Sequence, residues 1–557
     1  MNLLNNFKFL LVAVVLFTSF GCTNFLETSI DTNTTPETVA TDRSSLWNFA
    51  NAFYSPMTYG FSVIDNNIFA AATDEAQQTS VSANVNYFNQ GTINASANPL
   101  SYLYKNYYEG IRAANFFLNY AKNGEALLKM NRDTLTDVTN YKKDKDFLKW
   151  YRAEAHVAKA YYYGELIKMY GDVPIVEQTL DNANSAKIVK TSYDQVVAYI
   201  VNEIDTYKKD LVVSWKTSSY TDQDGRFTLG SALAIKARVL LYAASPLHNP
   251  TNDVEKWKIA ASAANDIITN SGLGYSLHTD YRKYFLGKAS LTSTETILAI
   301  RRAVNNDIEA RNYPIATAGG ESGVTPSQNL VADYEYIGTP DVAYPYKNRD
   351  PRLDASVVTN GSTWNTRTID EAPGGSDDMT KANASRTGYY LKKFLTDNVN
   401  LTQGSTVQNQ WVVYRYGEVL LNYAEAMNEA YGPDANAGNT LTARQALNLV
   451  RNRASASLPA VTVTTIPDFR AVLKHERKIE LAFEDHRYWD LLRWKDAKTV
   501  LNQPIKGVKV TKNNSGIFVY EVVNVTTRTF NDRNYYLPFM RSEIENSKGT
   551  LIQNESY

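Results

Sequence analysis

The chain has 557 residues, with 57 Lys and Arg against 58 Asp and Glu, one cysteine and five histidines. The near-neutral balance gives no electrostatic footprint for nucleic acid, a lone thiol excludes an internal disulfide, and scattered histidines supply no metal cluster. The 38 Tyr, against 21 Phe and 8 Trp, are an unusual aromatic choice; a ring with an apolar body and a polar tip suits half-wet surfaces as well as cores.

Near its start the chain has Lys8, the apolar stretch Phe9 to Phe17, and then Thr18-Ser19-Phe20-Gly21. This has the parts of a secretory signal and is too short to span a bilayer, which takes about 20 apolar residues. Cys22 follows at the cut. The arrangement resembles a bacterial lipobox, although Phe20 is bulkier than the small residue often found there, and the resemblance implies a lipid on Cys22. The expected organisation is a signal peptide at 1–21, a lipid-anchored polar leash at 22–45 and a single body at 46–557. Removing residues 1–21 deletes Lys8 and no acid, leaving 56 basic against 58 acidic residues.

Helices are expected near 46–58 and 100–122. Phe147, Tyr151, Ala155, Ala158, Tyr162, Leu166 and Met169 recur at spacings of three and four, which puts them on one helix face. Gly171 can end that helix in a left-handed conformation and Pro174 prevents its continuation. A helix at about 193–208 would fold back on it. Leu233, Ala237, Leu240 and Ala244 mark a third helix, stopped at Pro246, with Trp257, Ala261, Ala264 and Ile268 on its partner. Val412, Tyr416, Val419, Tyr423, Ala426 and Ala430 form a further stripe, ended by Gly432-Pro433 and followed by Ala443, Ala446 and Val450. These helix pairs have small Ala residues where helices approach, as tetratricopeptide repeats do, but they begin near 147, 229 and 411 and so lack that repeat's period of about 34 residues.

The expected fold is therefore mostly α: tetratricopeptide-like helix pairs forming a scaffold with long loop insertions. The largest insertion, about 305–410, is rich in Gly, Asn, Ser, Thr and Pro, and its aromatics argue against simple disorder. Val508, Val510, Ile517 and Val519 flank Asn513-Asn514-Ser515-Gly516, which reads as a small β-hairpin.

Residues 475–494 place Ile479, Ala482, Phe483 and His486 on one helix face, with Glu484, Arg487, Asp490 and Arg493 as a charge ladder at spacing three. Glu480 and Glu484 have the residue types of a glycosidase pair. Arg477 and Arg487, each three residues away, favour the ionised form, which is wrong for a general acid. His475-Glu476 lacks the second histidine of a zinc-protease motif, and the chain has no Gly-rich phosphate loop and no Ser nucleophile in a recognised setting. No catalytic set, cofactor or metal is expected.

The 475–494 stretch closely resembles a hallmark of the SusD/RagB family of outer-membrane nutrient-binding lipoproteins. Other segments resemble the family in order. They are Ala153 to Tyr163 with Tyr170-Gly171-Asp172-Val173-Pro174, Pro326-Ser327, Asn348 to Leu353, Tyr414 to Ala426, Leu537-Pro538 and the ending Gln553-Asn554-Glu555-Ser556-Tyr557. Glu555-Ser556 depart from the more usual Pro-Gly. The resemblance implies four tetratricopeptide-like helix pairs and a lipid-anchored, surface-exposed place on the outer membrane. It also implies a lid role over a SusC-like TonB-dependent β-barrel transporter, to which a captured nutrient, commonly a glycan, is handed.

A sugar site needs an aromatic platform edged by Asn, Asp, Glu or Arg. Two loop regions supply both: Thr73-Asp74-Glu75 through Asn89, and the 305–410 insertion. The family's ligand contacts commonly come from these regions. The expected platforms are Tyr87, Phe88, Tyr313 and Trp364, with Asp74 and Glu321 as polar partners; Arg349 and Asp350 read as a structural turn and pair. The alternative is a peptide-binding or purely scaffolding partner of the transporter, without a glycan site of its own.

Overall fold

A computed structural model describes residues 42–178 and 188–557. The signal segment, Cys22 and the leash up to residue 41 lie outside the described residues. Helix α1 (Arg43–Ala52) starts where the Asp42 carboxylate accepts a hydrogen bond from the Ser45 N–H, an ordinary N-cap. It packs on α2 (Ser101–Tyr120), and α2 packs on α3 (Val138–Tyr170). The periodic face of α3 does point inward: Tyr151, Ala155, Ala158, Tyr162, Leu166 and Met169 are all buried. Gly110 of α2 makes the close approach possible, since a Cβ there would lie 2.2 Å from the Tyr162 ring. Gly171 ends α3 with φ +71°, and a Cβ at that position would also run into Tyr536.

The next helices continue the stack. α4 (Tyr193–Tyr207) folds back on α3, α5 (Leu229–Ala244) pairs with α6 (Val254–Thr269), and α6 packs on α7 (Tyr416–Tyr431). α7 in turn carries α8 (Ala443–Arg451) and α9 (Ile466–Glu480), and α10 (Arg487–Arg493) follows. The scaffold is mostly helical, as expected, and an early pair, α1 with α2, joins the three read from periodicity. No described helix is long and apolar enough to cross a membrane.

The strands are short: β1 (Ala76–Gln78), β2 (Thr296–Arg301), β3 (Val324–Pro326), β4 (Val357–Thr359), β5 (Thr363–Trp364), β6 (Arg367–Thr368), β7 (Tyr389–Leu391), β8 (Gln410–Arg415), β9 (Ile505–Lys512) and β10 (Phe518–Thr526). β2 pairs antiparallel with β8, placing Arg301 opposite Gln410. The 302–409 stretch thus leaves and re-enters the body at one point. Within it β4 pairs with β7 and β5 with β6. β9 and β10 form the expected hairpin. Val412, read as the start of a helical stripe, lies instead on β8: Trp411-Val412-Val413-Tyr414 is a β-branched and aromatic run, and such residues favour strands.

The second departure lies at 481–486. The helix expected across 475–494 stops at Glu480 and restarts at Arg487, with Phe483 and Asp485 at φ +67° and +62°. Left-handed non-glycine residues cost about 1–2 kcal/mol each. The break turns Glu480 and Glu484 inward onto one guanidinium. Arg415 donates from Nε to Glu484 Oε2 at 2.7 Å and from Nη1 to Glu480 Oε1 and Glu295 Oε1, both at 2.8 Å. Arg453 and Arg352 also hold Glu480, at 2.8 and 2.9 Å.

Only the Asp490–Arg493 rung of the expected ladder forms, at 2.8 Å. Arg487 reaches Asp74 rather than Glu484. Arg349 and Asp350 are structural, but each has other partners: Arg349 donates to the Val331 and Tyr334 carbonyls, and Asp350 pairs with Arg352.

Candidate functional site

The early loop and the 302–409 region meet along β1 and β3, which pair antiparallel with Gln78 opposite Val324. Four local devices fix this junction. Ile64 and Asn67 exchange backbone hydrogen bonds around Asp65-Asn66, whose φ angles are +52° and +53°. Two consecutive left-handed residues make a tight hairpin turn, and Asp and Asn are the non-glycine types that tolerate it. The Asp65 carboxylate then accepts from the backbone N–H groups of Asn84 and Val85, both at 3.0 Å, pinning the 80–89 segment.

Behind it, the Asn67 and Asn312 side-chain amides donate to each other at 3.0 Å in both directions. Gly323 closes the junction. Its N–H donates to the Arg311 carbonyl at 2.6 Å, and a Cβ there would sit 2.7 Å from both that carbonyl and Asn67.

A groove opens over this junction in two lobes. The larger, about 430 Å³, is lined by Asp65, Asn67, Gln78, Thr79, Ser80 and Ser82 on one side and Arg311, Glu321 and Asn383 on the other. The smaller, about 280 Å³, is lined by Tyr59, Phe61, Asn66, Arg302, Asn305 and Asp307, and it shares Arg311 with the first. Arg311 donates to Glu321 at 2.6 Å, and both side chains stay about half exposed. The Arg302 guanidinium lies 4.9 Å from the Tyr59 ring centre. Burial pushes the Tyr59 phenol up to about 12, so it stays a neutral hydrogen-bonding group. Amides, hydroxyls, guanidinium groups and carboxylates outnumber apolar side chains here. Such a lining can hydrogen-bond a ligand rich in hydroxyls and has little apolar surface for a greasy one.

Of the six expected ligand contacts, Glu321 lines the groove. Tyr87 is 40% exposed on the short helix Asn86–Asn89, just after the groove-lining Ser82. The other four are buried and cannot act as exposed platforms or rim groups. Phe88 packs edge-on against Phe69 and Tyr488 at 4.9 and 5.7 Å. Tyr313 and Trp364 form a T-shaped pair at 5.5 Å, and the Tyr313 hydroxyl donates to the Thr396 carbonyl. Asp74 is clamped by Arg487 at 2.8 Å and Lys478 at 2.8 Å. Burial pushes its carboxyl up, but these two cations win and hold it well below the usual carboxylate range.

Its neighbour Glu75 has the opposite fate. Burial, and then the charge on Asp74, raise the Glu75 carboxyl from 4.5 to about 8. Its folded value lies above its unfolded one. The stabilisation is therefore complete below the unfolded value and is lost as pH rises through about 8. Glu75→Gln, a mimic of the neutral acid, is expected to melt with wild type near pH 4 and above wild type near pH 9. Thermal scans at the two pH values check this; an equal difference at both would contradict it.

Glu480 and Glu484 are no acid–base pair. Burial opposes the charge on Glu480, but Arg453, Arg415 and Arg352 hold its carboxyl well below the usual range. Glu484 is held by Arg415 and Lys393 at 2.7 Å each. Among the described residues no group of three or more His, Cys, Asp or Glu is placed to hold a metal ion.

Periodicity could not reveal Arg302, Asn66 or Tyr59, because they lie on irregular backbone, or Arg311, because its helix, Asp307–Asn312, is too short to show a periodic face. The one local signal was Asp65-Asn66-Asn67, a run of turn-forming residues.

Paired helices carrying a long excursion of short sheets, with a polar groove where it meets the early loop, define a helical scaffold with a loop-borne site. Comparison with known proteins places it. A SusD family model matches residues 283–557, and a second SusD-like model, described as starch-binding associating with outer membrane, matches residues 24–241. The chain belongs to the SusD/RagB family.

It is 24% identical over 512 residues to SusD-like protein P25 of Formosa agariphila, covering 86% of this chain and 88% of that one. SusD-like protein P38 of the same organism is 25% identical over 389 residues, covering 64% and 69%. A solved SusD-like protein of Bacteroides fragilis superposes with a TM-score of 0.75 at 24% identity, covering 93% and 98%. A SusD-like carbohydrate-binding protein of the same species gives 0.74 at 23%, covering 92% and 100%.

Proposed function

We propose that this chain is a cell-surface lipoprotein that binds an oligosaccharide or polysaccharide in the groove. It delivers the sugar, uncut, to a SusC-like TonB-dependent transporter, acting as its lid. The groove over the β1–β3 junction carries this reading: its polar lining from two loop regions suits a hydroxyl-rich ligand. Family membership supports it, as does the likeness to a B. fragilis protein described as carbohydrate-binding. The absence of cleavage rests on Glu480 and Glu484, both tied into ion pairs deep in the body. The place on the outer membrane rests on Cys22 behind its signal segment.

Affinity electrophoresis of the mature protein through starch, xylan, laminarin and alginate gels tests the reading. Retardation in at least one polymer is expected, with no released sugar on prolonged incubation. Arg311→Ala with Glu321→Ala should weaken that binding about tenfold, the loss of roughly one charge-assisted hydrogen bond. Retardation by none of them would favour the scaffolding role. Steady product release lost in Glu480→Gln would overturn the non-catalytic one.

A further inference from the structure

A second depression, of about 420 Å³, lies between α1, the start of α3 and the 220–223 turn, and shares no lining residue with the groove. Its character is different, for its walls are aromatic. Trp47 stacks on Tyr151 with centroids 5.5 Å apart and 26° between planes, and Phe147 meets Tyr220 edge-on at 5.1 Å. Trp47, Phe147 and Tyr220 are only half-buried.

The rings are held from behind. The Arg226 guanidinium lies 3.7 Å from the Tyr151 centroid and 4.5 Å from that of Trp215, and it is itself fixed by two hydrogen bonds to Glu154, at 2.8 and 2.9 Å. The rim is polar. Asp144, 6% exposed, accepts from Arg43 at 2.9 Å and Arg132 at 2.8 Å. Asn140 and Lys143 are exposed above it, with the Lys143 ammonium 5.1 Å from the Tyr220 centroid.

Half-open rings on a rigid backing, edged by amide, guanidinium and carboxylate groups, are what the flat apolar face and hydroxyl edge of a pyranose require. One ion pair links the cleft to the groove. Gln223 lines the cleft and Arg302 lines the groove, and between them Asp224 and Arg301 form an ion pair. One extended chain could therefore follow the surface from one to the other.

We propose that this aromatic cleft is a second saccharide-binding subsite, taking a sugar ring of the same polymer that occupies the groove. The inference rests on the glycan-binding reading above. A tetrasaccharide is gripped by the groove alone, whereas a polymer engages both. The test uses the mature protein, the four polymers named above and the tetrasaccharide of each. For the polymer that retards wild type, Trp47→Ala with Tyr220→Ala should raise the dissociation constant about tenfold and leave that for the tetrasaccharide unchanged.

Should that variant melt lower than wild type, Asn140→Ala with Lys143→Ala, both exposed, decides by the same comparison. Wild-type affinity for polymer in a stable cleft variant would overturn the subsite and leave the groove standing. Wild type retarded by no polymer would remove both.

Discussion

Arg415→Met lowers the unfolding free energy of the body by about 3–5 kcal/mol, the cost of leaving a buried cluster of carboxylates one cation short. Arg415 is 2% exposed and gathers Glu295, Glu480 and Glu484, which come from the residue before β2, the end of α9 and the break before α10. Arg453 continues to hold Glu295 and Glu480, and Lys393 keeps Glu484, so the network loses its centre but not every partner.

The Arg415 position also explains why the 475–494 stretch is built as it is. Phe483 and Asp485 accept left-handed backbone so that two glutamates can point at one guanidinium. Denaturant titration followed by circular dichroism at pH 7 measures the effect, and a change below about 1 kcal/mol would contradict it. The sign with pH follows from Glu480, whose folded value is depressed. Its contribution is present above the unfolded value and fades as the solution is acidified, so the gap between wild type and Glu480→Gln should narrow below about pH 4.

Cys22→Ala is expected to abolish growth on the bound glycan at limiting concentration while leaving solution affinity at the wild-type value. The proposal gives residue 22 one task, to hold the body over a membrane partner, and gives binding to loops far along the chain. Uptake assays in cells expressing either form, paired with gel retardation of the purified bodies, separate the two tasks. Unchanged uptake by the alanine form would show that the lipid sets location only, and the lid role would fall with it.

The scaffold was legible because its signal is local. The Tyr and Ala stripe of α3, the Gly171 stop and the Asn513–Gly516 turn each announce themselves within a few residues. The site was less legible because burial of a loop residue is decided by distant partners. Asp74 is clamped by Arg487, 413 positions away, and Tyr313 is locked by Thr396 from across the excursion. Aromatic residues in a Gly- and Asn-rich stretch read as surface platforms, yet Trp364 and Tyr313 close that stretch on itself. The reverse error hid the cleft: Phe147 and Tyr151 read as part of one core stripe, although Phe147 sits where α3 is open to solvent. Part of the groove lining falls in the two expected regions, Gln78 to Ser82 and Arg311 to Glu321, whereas Tyr59, Phe61, Asp65 to Asn67 and Arg302 lie outside them.

Amide hydrogen exchange of the mature protein with and without a retarding polysaccharide tests the central claim most directly. The account predicts slowed exchange in residues 78–83 and 311–323, the two walls of the groove. Tight binding with both segments unprotected would place the sugar elsewhere and contradict it.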